Sequence, residues 1–267
     1  MSQAKRVNVD SLQRMKRKGK RITMLTAYDY FMAQVLDEAG VDLLLVGDTV
    51  GMAVGGHATT IPVRLEHIVY HADMVSRGAS RAMVIGDLPF LTYQVTVEAA
   101  IENAGELMQD GHVHGVKVEG GRAMVPFVKR VLRAGIPVMG HLGLTPQSVH
   151  RFGGWKVQGK DERSATQVYE AAQALQDAGC FAIVLEAIPS ELAQRVTEAI
   201  EIPTIGIGAG PHCDGQVLVT PDMLGITGFE AKYIKQYAQL RDTIRDAVEH
   251  YVDDVKEGRY PTEEHGY

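Results

Sequence analysis

Short apolar runs rich in β-branched residues alternate along the chain with longer segments of helical period. Such alternation is typical of βα units and therefore of a parallel sheet. The apolar runs are nearly continuous, as expected for strands that are covered on both faces. We predict eight strands, at residues 23–29, 41–48, 83–89, 115–120, 137–143, 181–188, 204–210 and 216–219.

Amphipathic segments fill the intervals between these strands. They predict helices at 96–110, 122–134, 163–178 and 191–199, an N-terminal helix at 9–18 that closes the bottom of a barrel, one or two helices packed on the barrel at 231–256, and a frayed tail at 261–267. An open doubly wound sheet normally carries a glycine-rich phosphate loop after its first strand, and the segment TAYDY at 26–30 has no glycine. The pattern therefore favours an α/β fold consisting of a single (β/α)₈ TIM barrel, with one catalytic domain over residues 1–267.

Charge and composition exclude several classes of partner. The formal net charge of -6 disfavours nucleic acid. The sequence has no apolar run of membrane-spanning length and no signal-peptide core at its N-terminus. Its two cysteines lack the spacing of a metal or redox pair. We therefore expect a cytoplasmic protein that does not bind membranes.

Four predicted strands end in or next to an acidic residue: Asp48, Asp87, Glu119 and Glu186. The carboxyl ends of barrel strands share one mouth, where barrel enzymes have their active sites. The alternative is that these acids cap helices or lie in first turns, which is common after strands. Several facing carboxylates repel each other unless one is protonated or a cation is present, and oxygen-only ligands suit Mg²⁺. We favour a shared Mg²⁺ site.

Two further polar residues fall within predicted strands. Lys117 and Glu119 are two positions apart and therefore point to the same face. Inside the barrel, Lys117 either pairs with Glu119 or binds a substrate carboxylate, and we favour substrate binding because the metal uses the acid. His141 is equally compatible with a substrate contact and with a buried structural histidine.

Seven segments occur in a distinctive order: TAYDY at 26–30, VGDTVGM at 46–52, DLPF at 87–90, VKVEGG at 116–121, GHLGLTPQSV at 140–149, FGG-x-KVQG at 152–159, and IGIGAG with DGQVLV at 205–219. Together they closely resemble the ketopantoate hydroxymethyltransferase family. The resemblance extends from about residue 9 to the C-terminus. It implies a (β/α)₈ barrel that assembles as a homo-oligomer, typically a decamer.

The resemblance also implies a reaction. A hydroxymethyl group passes from 5,10-methylenetetrahydrofolate to 3-methyl-2-oxobutanoate and gives 2-dehydropantoate, through an enolate that Mg²⁺ stabilises and that a glutamate base forms. The rival interpretations are a related Mg²⁺-dependent barrel lyase or mutase of the phosphoenolpyruvate and isocitrate type, and a non-catalytic barrel that binds a metabolite.

Matching the motifs assigns roles to individual positions. The family's metal ligands fall on Asp48, Asp87 and Glu119, and its general base, expected to lie off the metal, falls on Glu186. Its ketoacid-binding positions fall on Asp48, Thr49, Asp87 and Lys117, and His141 matches a position near the substrate. Relatives often have serine at position 49, and threonine retains the hydroxyl there.

Overall fold

The computed structural model describes residues 5–267, and its central feature is a closed barrel of eight parallel strands. Each strand is hydrogen-bonded to the next in chain order, and the last strand closes on the first. The strands are β1 (Ile22–Thr26), β2 (Leu43–Val46), β3 (Met83–Asp87), β4 (Gly115–Glu119), β5 (Val138–Gly143), β6 (Ala182–Glu186), β7 (Thr204–Ile207) and β8 (Gly215–Leu218). The predicted (β/α)₈ fold and all eight strands are confirmed.

Two layers of apolar side chains hold the barrel together. One cluster fills its interior and includes Met24, Leu43 and Met139, all buried. The other lies between the strands and the surrounding helices and includes Leu44, Val84 and other buried residues of the same strands. Both faces of a strand are therefore apolar, which explains why the strand sequences are continuous rather than alternating.

The helices predicted for the barrel are found, and the structure contains four others that were not predicted. In chain order, all of these helices are α1 (Val9–Arg17), α2 (Tyr30–Glu38), α3 (Val50–Ala53), α4 (Leu65–Gly78), α5 (Val97–Gln109), α6 (Val125–Arg133), α7 (Val149–Phe152), α8 (Glu162–Ala178) and α9 (Ser190–Ala199). Among residues 5–267, no helix is both long and apolar enough to cross a membrane.

Helix α1 closes the N-terminal end of the barrel, as predicted. The side chain of Asn8 caps its first turn by accepting a hydrogen bond from the backbone N–H of Ser11 at 3.0 Å. Leu12 is fully buried in the interior cluster together with Ile22, the first residue of β1. Because this end is closed, a small molecule reaches the interior from the opposite end, where the strands finish.

The chain divides into two compact units, the barrel up to Leu218 and a second unit over Val219–Tyr267. The second unit contains α10 (Thr220–Met223) and α11 (Leu240–Lys256). The prediction that helix begins at residue 231 is wrong, because the backbone N–H of Tyr237 donates to Met223 O at 2.8 Å and that of Leu240 to Leu224 O at 3.0 Å. These bonds hold the segment in turns. A single domain over residues 1–267 stays a prediction.

Candidate active site

The predicted acidic residues meet at the C-terminal end of the barrel. Asp87, Glu119 and Glu186 are the last residues of β3, β4 and β6, and Asp48 lies two residues after β2. Asp48 and Asp87 are each 2% exposed and Glu119 is 6% exposed. Three carboxyl groups from three neighbouring strands are thus buried at one mouth.

Asp48 and Asp87 are directly linked. The backbone N–H of Asp48 donates to Asp87 Oδ2 at 3.0 Å, and Lys117 Nζ lies 2.9 Å from Asp87 Oδ1. The ion pair follows from the strand register, in which Asp87 of β3 is opposite Lys117 of β4. Lys117 therefore pairs with Asp87 and not with Glu119, and the favoured alternative, that it binds a substrate carboxylate, stays a prediction.

His141 connects the other two acids. Its Nε2 lies 3.2 Å from Glu186 Oε2, and its Nδ1 lies 3.5 Å from Glu119 Oε1 and 3.2 Å from Lys117 Nζ. The ring is 3% exposed. Within the buried cluster, His141 is the group that bridges Glu186 to the carboxylates on the other side of the mouth.

Burial and mutual repulsion shift the titration of this cluster. Burial raises the pKa of Asp48 well above its usual value, and the charges of Asp87 and Glu119 raise it further. Burial also raises the pKa of Asp87, although Lys117 opposes this effect. The site therefore carries more negative charge than a buried position tolerates, and an added cation would stabilise it.

The two basic groups in the cluster are held in their charged forms. Burial lowers the pKa of Lys117, but the attraction of Asp87, Glu119 and Asp48 outweighs it and the pKa rises. For His141, burial and Lys117 lower the pKa, while the nearby carboxylates of Glu119 and Glu186 raise it to about 9. The raised pKa favours the imidazolium form of His141 at neutral pH, with Nε2 3.2 Å from Glu186 Oε2.

The residues at the mouth supply the type of donor atom that a hard divalent cation prefers. The donors are carboxylate oxygens, and Glu119 Oε1 receives no hydrogen bond of good geometry from residues 5–267. Within that same range no group of three His, Cys, Asp or Glu side chains is arranged so that it could hold a metal ion. Mg²⁺ does not need such a group, because it keeps several waters and usually takes only one or two protein carboxylates together with substrate oxygens.

Thr49 lies between Asp48 and the short helix α3. Its side chain is partly exposed and does not cap that helix. The hydroxyl is therefore available at the mouth beside Asp48. Its assignment as a ketoacid contact stays a prediction.

Two neutral residues of the site were not predicted from the sequence. Gln147 is 6% exposed, donates from Nε2 to Asp48 Oδ2 at 2.9 Å, and donates from its backbone N–H to Glu119 Oε2 at 2.9 Å. The Tyr93 hydroxyl donates to Gln147 Oε1 at 2.8 Å and accepts from the backbone N–H of Glu119 at 3.0 Å. Gln147 lies in the motif GHLGLTPQSV, which was the only signal for it.

The backbone immediately after Glu186 has an unusual conformation. Ala187 has φ of 46°, in the left-handed region that non-glycine residues rarely occupy. Its N–H donates to Ile207 O and its carbonyl accepts from Gln158 N–H, both at 2.9 Å. Opposite, Gly143 of β5 pairs with Glu186 and has φ of 94°. The position of Glu186 is thus fixed by backbone contacts on both sides.

Comparison with known proteins identifies a family over almost the whole chain. The model of the family described as ketopantoate hydroxymethyltransferase matches residues 6–263. The 3-methyl-2-oxobutanoate hydroxymethyltransferase of Syntrophus aciditrophicus (strain SB) is 52% identical, over 100% of this chain and 98% of its own length. The enzyme of the same name from Moorella thermoacetica is 50% identical, over 100% of both chains.

Solved structures with the same fold are more distant in sequence. A phosphonopyruvate hydrolase in complex with oxalate and Mg²⁺ superposes with a TM-score of 0.62 at 10% identity, covering 94% of this chain and 87% of its own. A 2,3-dimethylmalate lyase of the PEP mutase/isocitrate lyase superfamily gives 0.59 at 17% identity, covering 97% and 91%. These similarities support the barrel fold.

Proposed function

The chain belongs to the ketopantoate hydroxymethyltransferase family, and from this premise we propose that it transfers a hydroxymethyl group from 5,10-methylenetetrahydrofolate to 3-methyl-2-oxobutanoate, giving 2-dehydropantoate. The observation that carries the proposal is the buried cluster of Asp48, Asp87 and Glu119 beside Lys117 and His141. Such a cluster suits a small ketoacid, whose two adjacent oxygen groups need both a cation and a buried positive side chain.

We assign Asp48, Asp87 and Glu119 as the residues that hold Mg²⁺, directly or through water. The supporting observation is their excess negative charge, visible in the raised pKa values of Asp48 and Asp87, for which burial is the leading cause. When bound, Mg²⁺ acts as a Lewis acid that polarises the ketone of the substrate. Lys117, charged and buried beside Asp87, is suited to bind the substrate carboxylate, and Thr49 lies next to Asp48 for the same task.

Glu186 is the proposed general base. It accepts the proton from C3 of the ketoacid, and the electrons of the broken C–H bond form the C2–C3 double bond of the enolate. C3 then forms a bond to the one-carbon unit of the folate as one of its two C–N bonds breaks and the ketone re-forms. Water displaces the second folate nitrogen from that carbon and supplies the hydroxyl oxygen. The two nitrogens take up the proton from C3 and the proton from water, which releases tetrahydrofolate. His141 Nε2 lies 3.2 Å from Glu186 Oε2, close enough to influence the orientation of the base. Glu186 is 16% exposed in its side chain and lies on the far side of His141 from Glu119.

The rival lyase interpretation needs a catalytic cysteine or a phosphate-binding group. Both cysteines are free and buried. Burial raises the pKa of the Cys180 thiol to about 12 and also raises that of Cys213. Neither thiol therefore forms a thiolate readily at neutral pH, which favours the transferase.

A homo-oligomer is part of the proposal, with a decamer as the size that the family resemblance implies. Its support is helix α11, where Ile244, Val248, Tyr251 and Val255 are each exposed by at least 44% and recur at helical spacing. A cytoplasmic location is likewise proposed, since free cysteines are typical of a reducing compartment.

The proposal is tested by proton exchange at C3. Incubation of the protein with 3-methyl-2-oxobutanoate and Mg²⁺ in D₂O, followed by NMR, is expected to show loss of the C3 proton without any folate. Glu186→Gln is expected to reduce this exchange about 100- to 10,000-fold, the usual contribution of general acid–base catalysis. Glu191→Gln, the same change at an exposed position of α9, is the matched control and keeps the wild-type rate.

Two results would count against the proposal. Absence of exchange in the wild-type protein would favour a metabolite-binding barrel or a different lyase. Wild-type exchange in Glu186→Gln would remove Glu186 from the role of base while leaving the transferase assignment in place.

A further inference from the structure

A cleft of about 460 Å³ opens beside the acidic cluster, within the barrel unit. Its walls come from the segments that follow β3, β4 and β5 and from one side of α8. The volume falls within the range of about 300–1,000 Å³ that is typical of small-molecule sites. The cleft is therefore large enough for an organic ligand and lies where barrel enzymes bind substrates.

The inner end of the cleft reaches the proposed reaction centre. Glu119 and Gln147 line it, whereas Asp48, Asp87 and Lys117 do not. The cleft thus adjoins the proposed ketoacid site without including the lysine that would bind the substrate carboxylate. A molecule held there would approach the ketoacid from the side of β4 and β5.

The lining is suited to a flat heterocycle. Phe90, Met124, Leu142 and Phe152 supply apolar and aromatic surface. Polar groups are present as well, including the side chains of Gln158, Ser164 and Gln167. Apolar walls with a few convergent polar groups are the usual pattern for cofactor sites, because the walls bind the ring and the polar groups orient its edge.

Two arginines line the exposed part of the cleft, and they differ in their partners. Arg122 lies 3.3 Å from Glu170 in an exposed ion pair. Arg151 forms no ion pair with any residue in 5–267, and its guanidinium lies 5.7 Å from the centre of the Phe152 ring. Arg151 is therefore the cation in the cleft that is available to an incoming carboxylate.

We propose that this cleft binds the reduced folate, with the ring system against Phe90, Met124 and Phe152 and a glutamate carboxylate at Arg151. The inference rests on the proposed function, which requires a folate as second substrate. It also gives a role to the segment at 152–159, since Phe152, Gln158 and Gly159 of that motif line the cleft. The one-carbon unit of the folate then faces Glu119 and the ketoacid.

The test measures folate binding in variants of the cleft. With 5-formyltetrahydrofolate as a stable probe, Arg151→Ala is expected to raise the Kd, and the KM for 5,10-methylenetetrahydrofolate, about 10-fold, because a charge-assisted hydrogen bond is lost. Arg151→Lys restores part of the affinity. Arg130→Ala removes another exposed arginine, on α6 and outside the cleft, and is the matched control with wild-type values.

A second variant tests the walls of the cleft rather than its charge. Val168 lines the cleft from α8 and is partly exposed, so Val168→Trp places a bulky side chain in the volume that the ring would occupy. We expect this variant to lose at least 10-fold in folate affinity.

The outcomes separate this inference from the proposed function. Unchanged folate Kd in both Arg151→Ala and Val168→Trp overturns the cleft assignment, even if the wild-type protein exchanges the C3 proton. Weaker binding of 3-methyl-2-oxobutanoate alone in Val168→Trp also overturns it, because the ketoacid would then occupy the cleft. Failure of the wild-type protein to exchange the C3 proton refutes the proposed function instead.

Discussion

At the scale of single residues, the side chain of Gln147 joins the acidic cluster to the surrounding structure. Its amide and backbone N–H hold oxygens of Asp48 and Glu119, while Tyr93 holds its carbonyl oxygen. Burial raises the pKa of Tyr93 well above its ordinary value, so its hydroxyl stays neutral and remains a donor. Two proposed metal ligands are therefore oriented by neutral groups that do not compete for the cation.

Replacing Gln147 with methionine is expected to weaken Mg²⁺ binding about 10- to 100-fold, the usual effect of losing a group that orients metal ligands. Isothermal titration of the metal-free protein with Mg²⁺ measures this directly, without reference to catalysis. Gln34→Met removes an amide that donates to the Tyr30 hydroxyl on α2 and is the control. Equal Mg²⁺ affinity in wild type and Gln147→Met would mean that the carboxylates are positioned by other contacts.

The charged residues of the candidate site could be found from sequence, and the neutral ones could not. Asp87, Glu119 and Glu186 terminate apolar strands, so strand periodicity alone gathers them at one mouth. Tyr93 and Gln147 lie in the connections after β3 and β5, outside the α-helices and strands, where sequence gives no rule for the direction of a side chain. Their positions depend on tertiary contacts that only the folded chain provides.

At the scale of elements, Gly143 at the end of β5 determines how closely β5 can approach the end of β6. Gly143 is paired with Glu186, and a β-carbon built on Gly143 would collide with the carbonyl oxygen of Glu186. The φ of 94° at Gly143 adds backbone strain for any other residue. The glycine thus allows the strand that carries the proposed base to approach closely.

Gly143→Ala is expected to destabilise the protein by about 1–3 kcal/mol and to lower its thermal midpoint by about 2–12 °C. The C3 exchange rate is expected to fall as well, because Glu186 must move. Gly105→Ala is the matched control, since its new β-carbon meets no atom within 4 Å inside α5. It is expected to stabilise by up to about 1 kcal/mol. If Gly143→Ala has the thermal midpoint and the C3 exchange rate of the wild type, the close approach of the two strands is not required for stability or for exchange.

Strands were easier to predict than the connections. All eight apolar runs form strands, and the folded strands end one to three residues earlier than predicted, except β5, which ends at Gly143 as predicted. The segment at 231–239 has helical periodicity but is held in turns by bonds from Tyr237 and Leu240. Local sequence does not encode such partners.

At the scale of the whole molecule, the surface of α11 is the feature most relevant to assembly. Ile244, Val248, Tyr251 and Val255 are spaced by four, three and four residues and therefore share one side of the helix. An exposed apolar stripe of this kind is typical of an interface. The proposed occupant is a second copy of the chain, which agrees with the expected homo-oligomer.

Light scattering after size exclusion is expected to give a mass several times that of one chain. The double variant Val248→Glu, Tyr251→Glu is expected to reduce this mass, since burying two carboxylates in an apolar interface is costly. His250→Glu, on the opposite side of the helix, is the control. A wild-type protein that elutes as a single chain, or a double variant of unaltered mass, would contradict the role of α11.

The overall fold followed from the sequence because hydrophobic continuity and βα alternation leave few arrangements. A first strand without a phosphate loop and a chain of 267 residues then favoured a closed barrel over an open sheet. The division at Leu218 had no comparable signal, since no composition change or linker marks that position.

The ammonium group of Lys117 bears on how Mg²⁺ affects the folding and the activity of the protein in the cell. Because it already neutralises part of the charge among the buried acids, we expect folding of the chain not to require a bound ion. We expect a chelator to abolish the activity without lowering the thermal midpoint, and added Mg²⁺ to restore the activity. The Mg²⁺ concentration would then determine the turnover rate of each molecule, whereas synthesis and degradation alone determine the number of molecules.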